Sequence, residues 1–154
     1  MVSAQYVWEG EELPLDIKEL VRGTDIPVVV GGCVNYHTAM HLMRTGAAGI
    51  VVGYGATEGI TTTGEVLGIN VAMATAIADA AAARRDYMEE SGGRYVHVIA
   101  NGDLNSSGDI AKAIACGADA VMAGPLLAQA QEAAGKGVYW PIVAGHPANP
   151  RGAV

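Results

Sequence analysis

Phenylalanine is absent from this sequence, cysteine occurs only twice, and charged residues make up just 16% of the 154 positions. Two cysteines without metal-type spacing exclude a disulfide framework and a cysteine-rich zinc site. No apolar run approaches the ~18 residues that a bilayer span needs, so no membrane segment is expected. Basic residues are scarce as well: 9 Lys+Arg face 16 Asp+Glu, for a net charge of −7. That balance argues against nucleic acid or an anionic membrane as partner, because both are recognised through basic patches. The first ten residues carry neither a basic n-region nor an apolar h-region, which argues against a secretory signal. The expectation is a soluble, cytoplasmic protein.

Hydrophobic residues reach 51%, which excludes a disordered chain. The length suits a single domain over residues 1–154 with a sizeable core. There are 21 glycines, and alanines crowd into runs such as Ala80-Ala81-Ala82-Ala83. Small residues let helices pack closely on a sheet, and glycines at strand ends make tight turns. This is an α/β composition.

Four apolar strands alternate with helical segments. The first, Ile26 to Val30, is stopped by Gly31-Gly32, and a helix from Tyr36 to Thr45 ends at Gly46. The second strand, Gly49 to Val52, runs into Gly53-Tyr54-Gly55. A Gly/Thr-rich loop over 56–68 precedes a long helix from about Val71 to Glu90. The third strand, Tyr95 to Ala100, ends at Asn101-Gly102, and a helix from Gly108 to Ala115 stops at Gly117. The fourth strand, Ala120 to Ala123, ends at Gly124, and a last helix runs from about Leu126 to Ala133. Residues 1–25 read as a lead-in segment, 26–134 as four βα units and 135–154 as an irregular tail.

A shift of 71 residues lays Val29-Val30-Gly31 on Ala100-Asn101-Gly102, Gly46-Ala47 on Gly117-Ala118, and Gly53 on Gly124. Each copy reads strand, Gly loop, helix, Gly cap, strand, Gly. Continuous apolar strands joined by helices argue a parallel sheet covered on both faces. Two β-α-β-α units make a parallel β/α half-barrel, four βα units of a TIM-type barrel. Self-association is one way to complete it, and an open flavodoxin-like sheet is the main alternative. In either fold the active residues sit at the C-terminal ends of the strands, which selects Gly31 to Asn35, Gly53 to Gly64, Asn101 to Ser107, and Gly124-Pro125.

Within those segments, Val52-Gly53-Tyr54-Gly55 followed by Ile60-Thr61-Thr62 resembles the catalytic loop of IMP dehydrogenases and GMP reductases. Ile99-Ala100-Asn101-Gly102 with Ser107-Gly108-Asp109-Ile110 resembles their ribose and phosphate loop, and Ala118 to Gly124 their last strand. His41 to Gly49, Arg84-Arg85-Asp86-Tyr87, Tyr139-Trp140, His146-Pro147 and Pro150-Arg151-Gly152 are closer to the IMP-dehydrogenase-related proteins of actinobacteria. The resemblance runs from about Val2 to Gly152 and implies strands five to eight of the barrel. It implies a purine nucleoside 5′-monophosphate as substrate and NAD or NADP as cofactor. Substrate-binding positions carried over are Glu58, Gly59, Thr61, Asn101, Gly102, Asp103 and Gly124. A potassium ion held by backbone carbonyls is implied too, with Gly55 as one ligand and Thr57 and Ile60 in the remaining places.

The departures from that pattern matter chemically. Ile60 takes the place of the family's nucleophilic cysteine, with Thr62 nearby. An aliphatic side chain forms no covalent intermediate, so the thiolate route is closed. Glu58 replaces the phosphate-holding serine, Asp103 the second glycine of the phosphate loop, Asn101 its aspartate, and Pro125 the serine after the last strand. A unit-charge repulsion at ~4 Å and an effective dielectric near ~20 costs about 4 kcal/mol. Two of them match the roughly 8 kcal/mol of a micromolar ligand, so an impaired phosphate site is expected. No Gly-x-Gly-x-x-Gly opens a helix after a strand.

Other candidates have plainer readings. Cys33 is a nucleophile candidate without a neighbouring histidine and reads as packing, as does Cys116. His37 and His41 have i, i+4 metal-ligand spacing but no third ligand. His97 reads as a core histidine, Arg84-Arg85 as a solvated helix face, Thr61-Thr62-Thr63 as loop, and Tyr139 with Trp140 as caps on the helices. Two function classes follow. One is a catalytically impaired oxidoreductase half-barrel that keeps a purine-nucleotide pocket. The other is a non-catalytic half-barrel that forms a homo-oligomer or recruits a missing half-barrel partner, because its sheet edges are open. A truncated fragment without activity of its own is the third possibility.

Overall fold

The computed structural model describes residues 2–3, 16–54, 71–102, 104–139 and 152–153. Five parallel strands form one sheet in the order β1-β2-β3-β4-β5: Val2–Ser3, Val29–Cys33, Gly49–Val52, His97–Ala100 and Ala120–Val121. Every strand lies beside its neighbour in sequence, which is the progression of a β/α barrel. A flavodoxin-like sheet would switch direction after its first strands, so that alternative is excluded. The described fold is a parallel β/α half-barrel.

Val30, Ile50, Val52, Val98 and Ala100 are fully buried on the sheet face that meets the helices. Helix α2 (Tyr36–Arg44) contributes Ala39, Met40, Leu42 and Met43, and α3 (Met73–Glu90) contributes Ala76, Ile77, Ala80, Ala83 and Tyr87. The small residues of α3 explain how it packs against both α2 and the sheet. By the two-residue period of strands, the aligned row Gly31, Val51, Ile99 and Ala120 turns to the opposite face.

Several boundaries differ from the expected ones. Strand β2 does not stop at Gly31-Gly32 but runs through both glycines to Cys33, while Ile26 lies outside it and is 74% exposed. The reason is close approach. A Cβ at Gly31 would come 2.6 Å from the Val51 Cβ, and one at Gly32 would come 2.2 Å from the Gly53 carbonyl oxygen. The glycines let β2 and β3 meet instead of ending the strand. The 1–25 segment holds β1 and a helix, α1 (Ile17–Arg22), whose start is capped by the Asp16 carboxylate accepting from the Lys18 and Glu19 amides at 2.7 and 3.2 Å.

Helix α4 (Ser107–Ala115) is capped by Ser106, whose hydroxyl accepts from the Asp109 amide at 3.2 Å. The last helix, α5, is only Pro125–Ala128. Residues 129–132 are all exposed, so nothing apolar holds a longer helix there. The 135–154 tail contains an antiparallel pair, β6 (Val138–Tyr139) with β7 (Gly152–Ala153); Trp140 lies outside the described residues.

Two polar residues expected elsewhere join one cluster at the N-terminal ends of the strands. Arg84 is not a solvated side chain: it is 13% exposed, pairs with Asp119 at 2.6 Å and lies 4.9 Å from the Tyr95 ring centroid. Arg85 is exposed as expected. The Asp119 carboxylate also accepts from the Tyr95 hydroxyl at 2.5 Å and the Val98 amide at 2.8 Å. Its hydrogen bond to Tyr95 raises that phenol's pKa above the ordinary value. His97 is not a core histidine: its side chain is 64% exposed, on the face opposite Val98 and 3.9 Å from Asp119. The strand alternation is right, but the buried face is the one carrying Val96 and Val98.

Candidate functional site

The parallel sheet gathers four strand ends at one pole. Ladder bonds hold them in register: the Gly53 amide donates to the Cys33 carbonyl at 2.8 Å, Asn101 to Val52 at 2.7 Å, and Met122 to Ala100 at 2.8 Å. Gly53 has φ +95, and a Cβ there would lie 2.3 Å from the Asn101 carbonyl oxygen and 3.0 Å from Met73 Sδ. Tyr54 follows, 44% exposed, with its ring beside Gly32, where a Cβ would come 2.9 Å from Tyr54 Cδ1. Glycine at position 32 is therefore what lets the tyrosine ring lie over the end of β2.

Asn101 is half-buried and Gly102 buried. No described residue hydrogen-bonds the Asn101 side-chain amide, which offers one acceptor oxygen and two N–H donors. Gly124 ends the β5 segment and caps α5, its carbonyl accepting from the Leu127 and Ala128 amides at 3.1 and 3.0 Å. Asn101, Gly102 and Gly124 are thus placed at the same pole. Gly55, Thr57, Glu58, Gly59, Ile60, Thr61, Thr62, Thr63 and Asp103 lie outside the described residues.

Cys33 is 1% exposed, and its thiol donates to the Val51 carbonyl at 3.5 Å. Burial pushes its pKa up to about 12, which leaves it a packing residue instead of a thiolate nucleophile. Cys116 is half-buried beside the end of α4. His37 and His41 are both exposed on α2, and no group of three or more His, Cys, Asp or Glu among the described residues could hold a metal ion. No described helix is long and apolar enough to cross a membrane. The feature that sequence reasoning overlooked is the seat of Tyr54 on Gly32; the only hint in the sequence is an aromatic residue between two glycines.

A parallel β/α barrel with its functional end at the C-terminal strand ends is the class that this fold and pole define. The family model described as IMP dehydrogenase / GMP reductase domain matches residues 12–144, and the chain belongs to that family. It is 62% identical over 154 residues to an uncharacterized oxidoreductase of Mycobacterium tuberculosis (strain ATCC 25618 / H37Rv), covering 100% of this chain and 41% of that relative. It is 43% identical over 119 residues to the inosine-5′-monophosphate dehydrogenase of Methanocaldococcus jannaschii, covering 77% of this chain and 22% of that enzyme. Among solved structures, an IMP dehydrogenase/GMP reductase-like protein from Corynebacterium glutamicum matches with a TM-score of 0.82 and 55% identity, over 99% of this chain and 38% of that one. The chain therefore spans about two fifths of the length of the mycobacterial relative and of that solved structure.

Proposed function

We propose that this chain is the purine-facing half of an oxidoreductase barrel in which the family's covalent thiolate chemistry is closed. The observation that carries the reading is the placement of Asn101-Gly102 beside Gly53-Tyr54 at the C-terminal pole of a barrel of this family. Asn101 supplies the donor and acceptor that a ribose diol needs, and Tyr54 an aromatic surface for a base. Ile60, at the nucleophile position, offers no group that attacks a purine carbon.

The family's nicotinamide cofactor, NAD or NADP, would supply hydride transfer. Its pyrophosphate finds no cradle among the described residues. The first turn of α4 already carries Asp109, which accepts from the Ser106 hydroxyl at 2.7 Å and the Asn105 amide at 3.3 Å. A carboxylate there repels a second anion, so no step is derived through the cofactor. The potassium carbonyls proposed at Gly55, Thr57 and Ile60 carry no step either.

A thermal-shift titration with IMP, GMP and XMP, with inorganic phosphate as control, tests the reading. A ligand at ~100 times its dissociation constant adds about 2.7 kcal/mol, a shift of a few degrees at this size. A saturable shift with a purine monophosphate and none with phosphate is expected; a flat response to all of them would overturn it.

A second reading rests on the open sheet. Among the described residues β1 and β5 have a partner on one side only, which leaves strand edges that demand cover. A second copy, or a complementary half-barrel, would close them. Light scattering at micromolar concentration is expected to give more than one chain's mass, and a strict monomer would contradict assembly between copies.

A further inference from the structure

The 71-residue repeat of the sequence is present in the structure as well, and its two units differ in what covers their first helix. The shift carries α2 (Tyr36–Arg44) onto α4 (Ser107–Ala115) with the same first and last positions. The N-caps match too, Asn35 at φ −149, ψ 163 and Ser106 at φ −147, ψ 163. Each helix is followed by a glycine of positive φ, Gly46 at +95 and Gly117 at +112. In the first unit Met40 and Met43 are 6% and 0% exposed, within the core that α2 shares with α3. Their counterparts on α4 are Ala111, which is exposed, and Ile114, which is 47% exposed. Among the described residues the second unit has only the four-residue α5 where the first has the 18-residue α3. The apolar face of α4 is therefore a seat for a helix, and the first unit shows what such a seat accepts: the apolar side of another helix.

We propose that this face binds the same face of a second copy of the chain, α4 against α4 and antiparallel. The proposal rests on the reading of the chain as a self-assembling half-barrel, and it names a helix surface in addition to the strand edges. Of the described helices longer than four residues, only α4 exposes a large apolar side chain, so the apolar helix face that the chain itself supplies is another α4. A two-fold axis makes the contact self-complementary. Ile114 of each copy sits over Ala111 of the other, a large side chain against a small one, which is how a ridge on one helix enters a groove on the next. The antiparallel sense sets opposite ends of the two helix dipoles together. It also brings Lys112, whose side chain is 65% exposed, to the flank that carries Asp109 of the other copy.

Sedimentation equilibrium of the chain and three variants is the test, with circular dichroism to confirm that each variant keeps its fold. The wild type is expected to dimerise at micromolar concentration. Ile114→Lys, which puts a charge into the contact, should raise the dimer dissociation constant at least about tenfold. Ala111→Leu should raise it by about tenfold as well, because it fills the place of the facing Ile114. That second variant makes the face more apolar, so association by general stickiness would strengthen where a fitted contact weakens. Ile26→Lys, at an apolar residue 74% exposed outside this face, should leave the constant within about twofold. A dimer that Ile114→Lys leaves intact, or that Ala111→Leu tightens, would overturn the proposal while leaving assembly through the strand edges standing. A wild type that stays monomeric throughout would overturn both.

Discussion

Gly53→Ala is expected to destabilise the chain by about 2–6 kcal/mol, the sum of two separate penalties. The first is conformational, since φ is +95 at this position, a region that costs a residue with a Cβ about 1–3 kcal/mol. The second is steric. The new methyl would lie 2.3 Å from the Asn101 carbonyl oxygen and 3.0 Å from Met73 Sδ. A main-chain atom immediately after β4 cannot swing aside as a flexible side chain does, so the ends of β3 and β4 must separate, at a further cost of about 1–3 kcal/mol. The Asn101 backbone moves with them, and purine binding should be lost together with stability. Gly92→Ala is the internal control, because φ is +73 but nothing lies within 4 Å. It should show the conformational penalty alone, about 1 kcal/mol. Urea unfolding of both variants checks this: equal midpoint shifts would mean that the close approach at Gly53 contributes nothing.

Asp119→Ala should cost about 2–4 kcal/mol while leaving ligand binding unchanged. The carboxylate ties three elements together: Arg84 on α3, Tyr95 ahead of β4, and the Val98 amide within β4. Its loss strands the Arg84 guanidinium, 13% exposed, with the Gly117 carbonyl at 3.2 Å and the Tyr95 ring. The Asp119 side chain is 27% exposed, so solvent recovers part of the loss and the value falls short of a fully buried pair. Asp119→Asn keeps an oxygen for the Val98 amide and should retain roughly half the stability. The cluster lies at the pole where barrels invest in stability and not in chemistry. A variant within ~0.5 kcal/mol of wild type would place Asp119 among ordinary surface ion pairs.

The local pattern in the sequence carried much of this architecture. The apolar positions of Tyr36 to Arg44 and the Gly46 stop specify α2 from short-range signals, and Gly49 to Val52 is continuous enough to demand burial on both sides. Helix α1 was missed although Asp16 with Glu19 three residues on is a capping signal, because the helix is only six residues long. Gly31-Gly32 looked like a stop because the approach of β3, which makes glycine necessary, is a tertiary contact. Arg84 and Asp119 are 35 residues apart, and nothing local announces that they meet. The same holds for Tyr54 over Gly32. At the pole, Asn101, Gly102 and Gly124 were legible because parallel strands bring their C-terminal ends together whatever the details of packing.

Calorimetric titration of IMP into the wild type and into Asn101→Ala tests the central claim, that purine binding occurs at the strand-end pole, most directly. The expected result is a saturable one-site isotherm for the wild type, weakened about tenfold in the variant by loss of hydrogen bonds to the ribose. An absence of binding heat, or an affinity that Asn101→Ala leaves unchanged, would contradict the account.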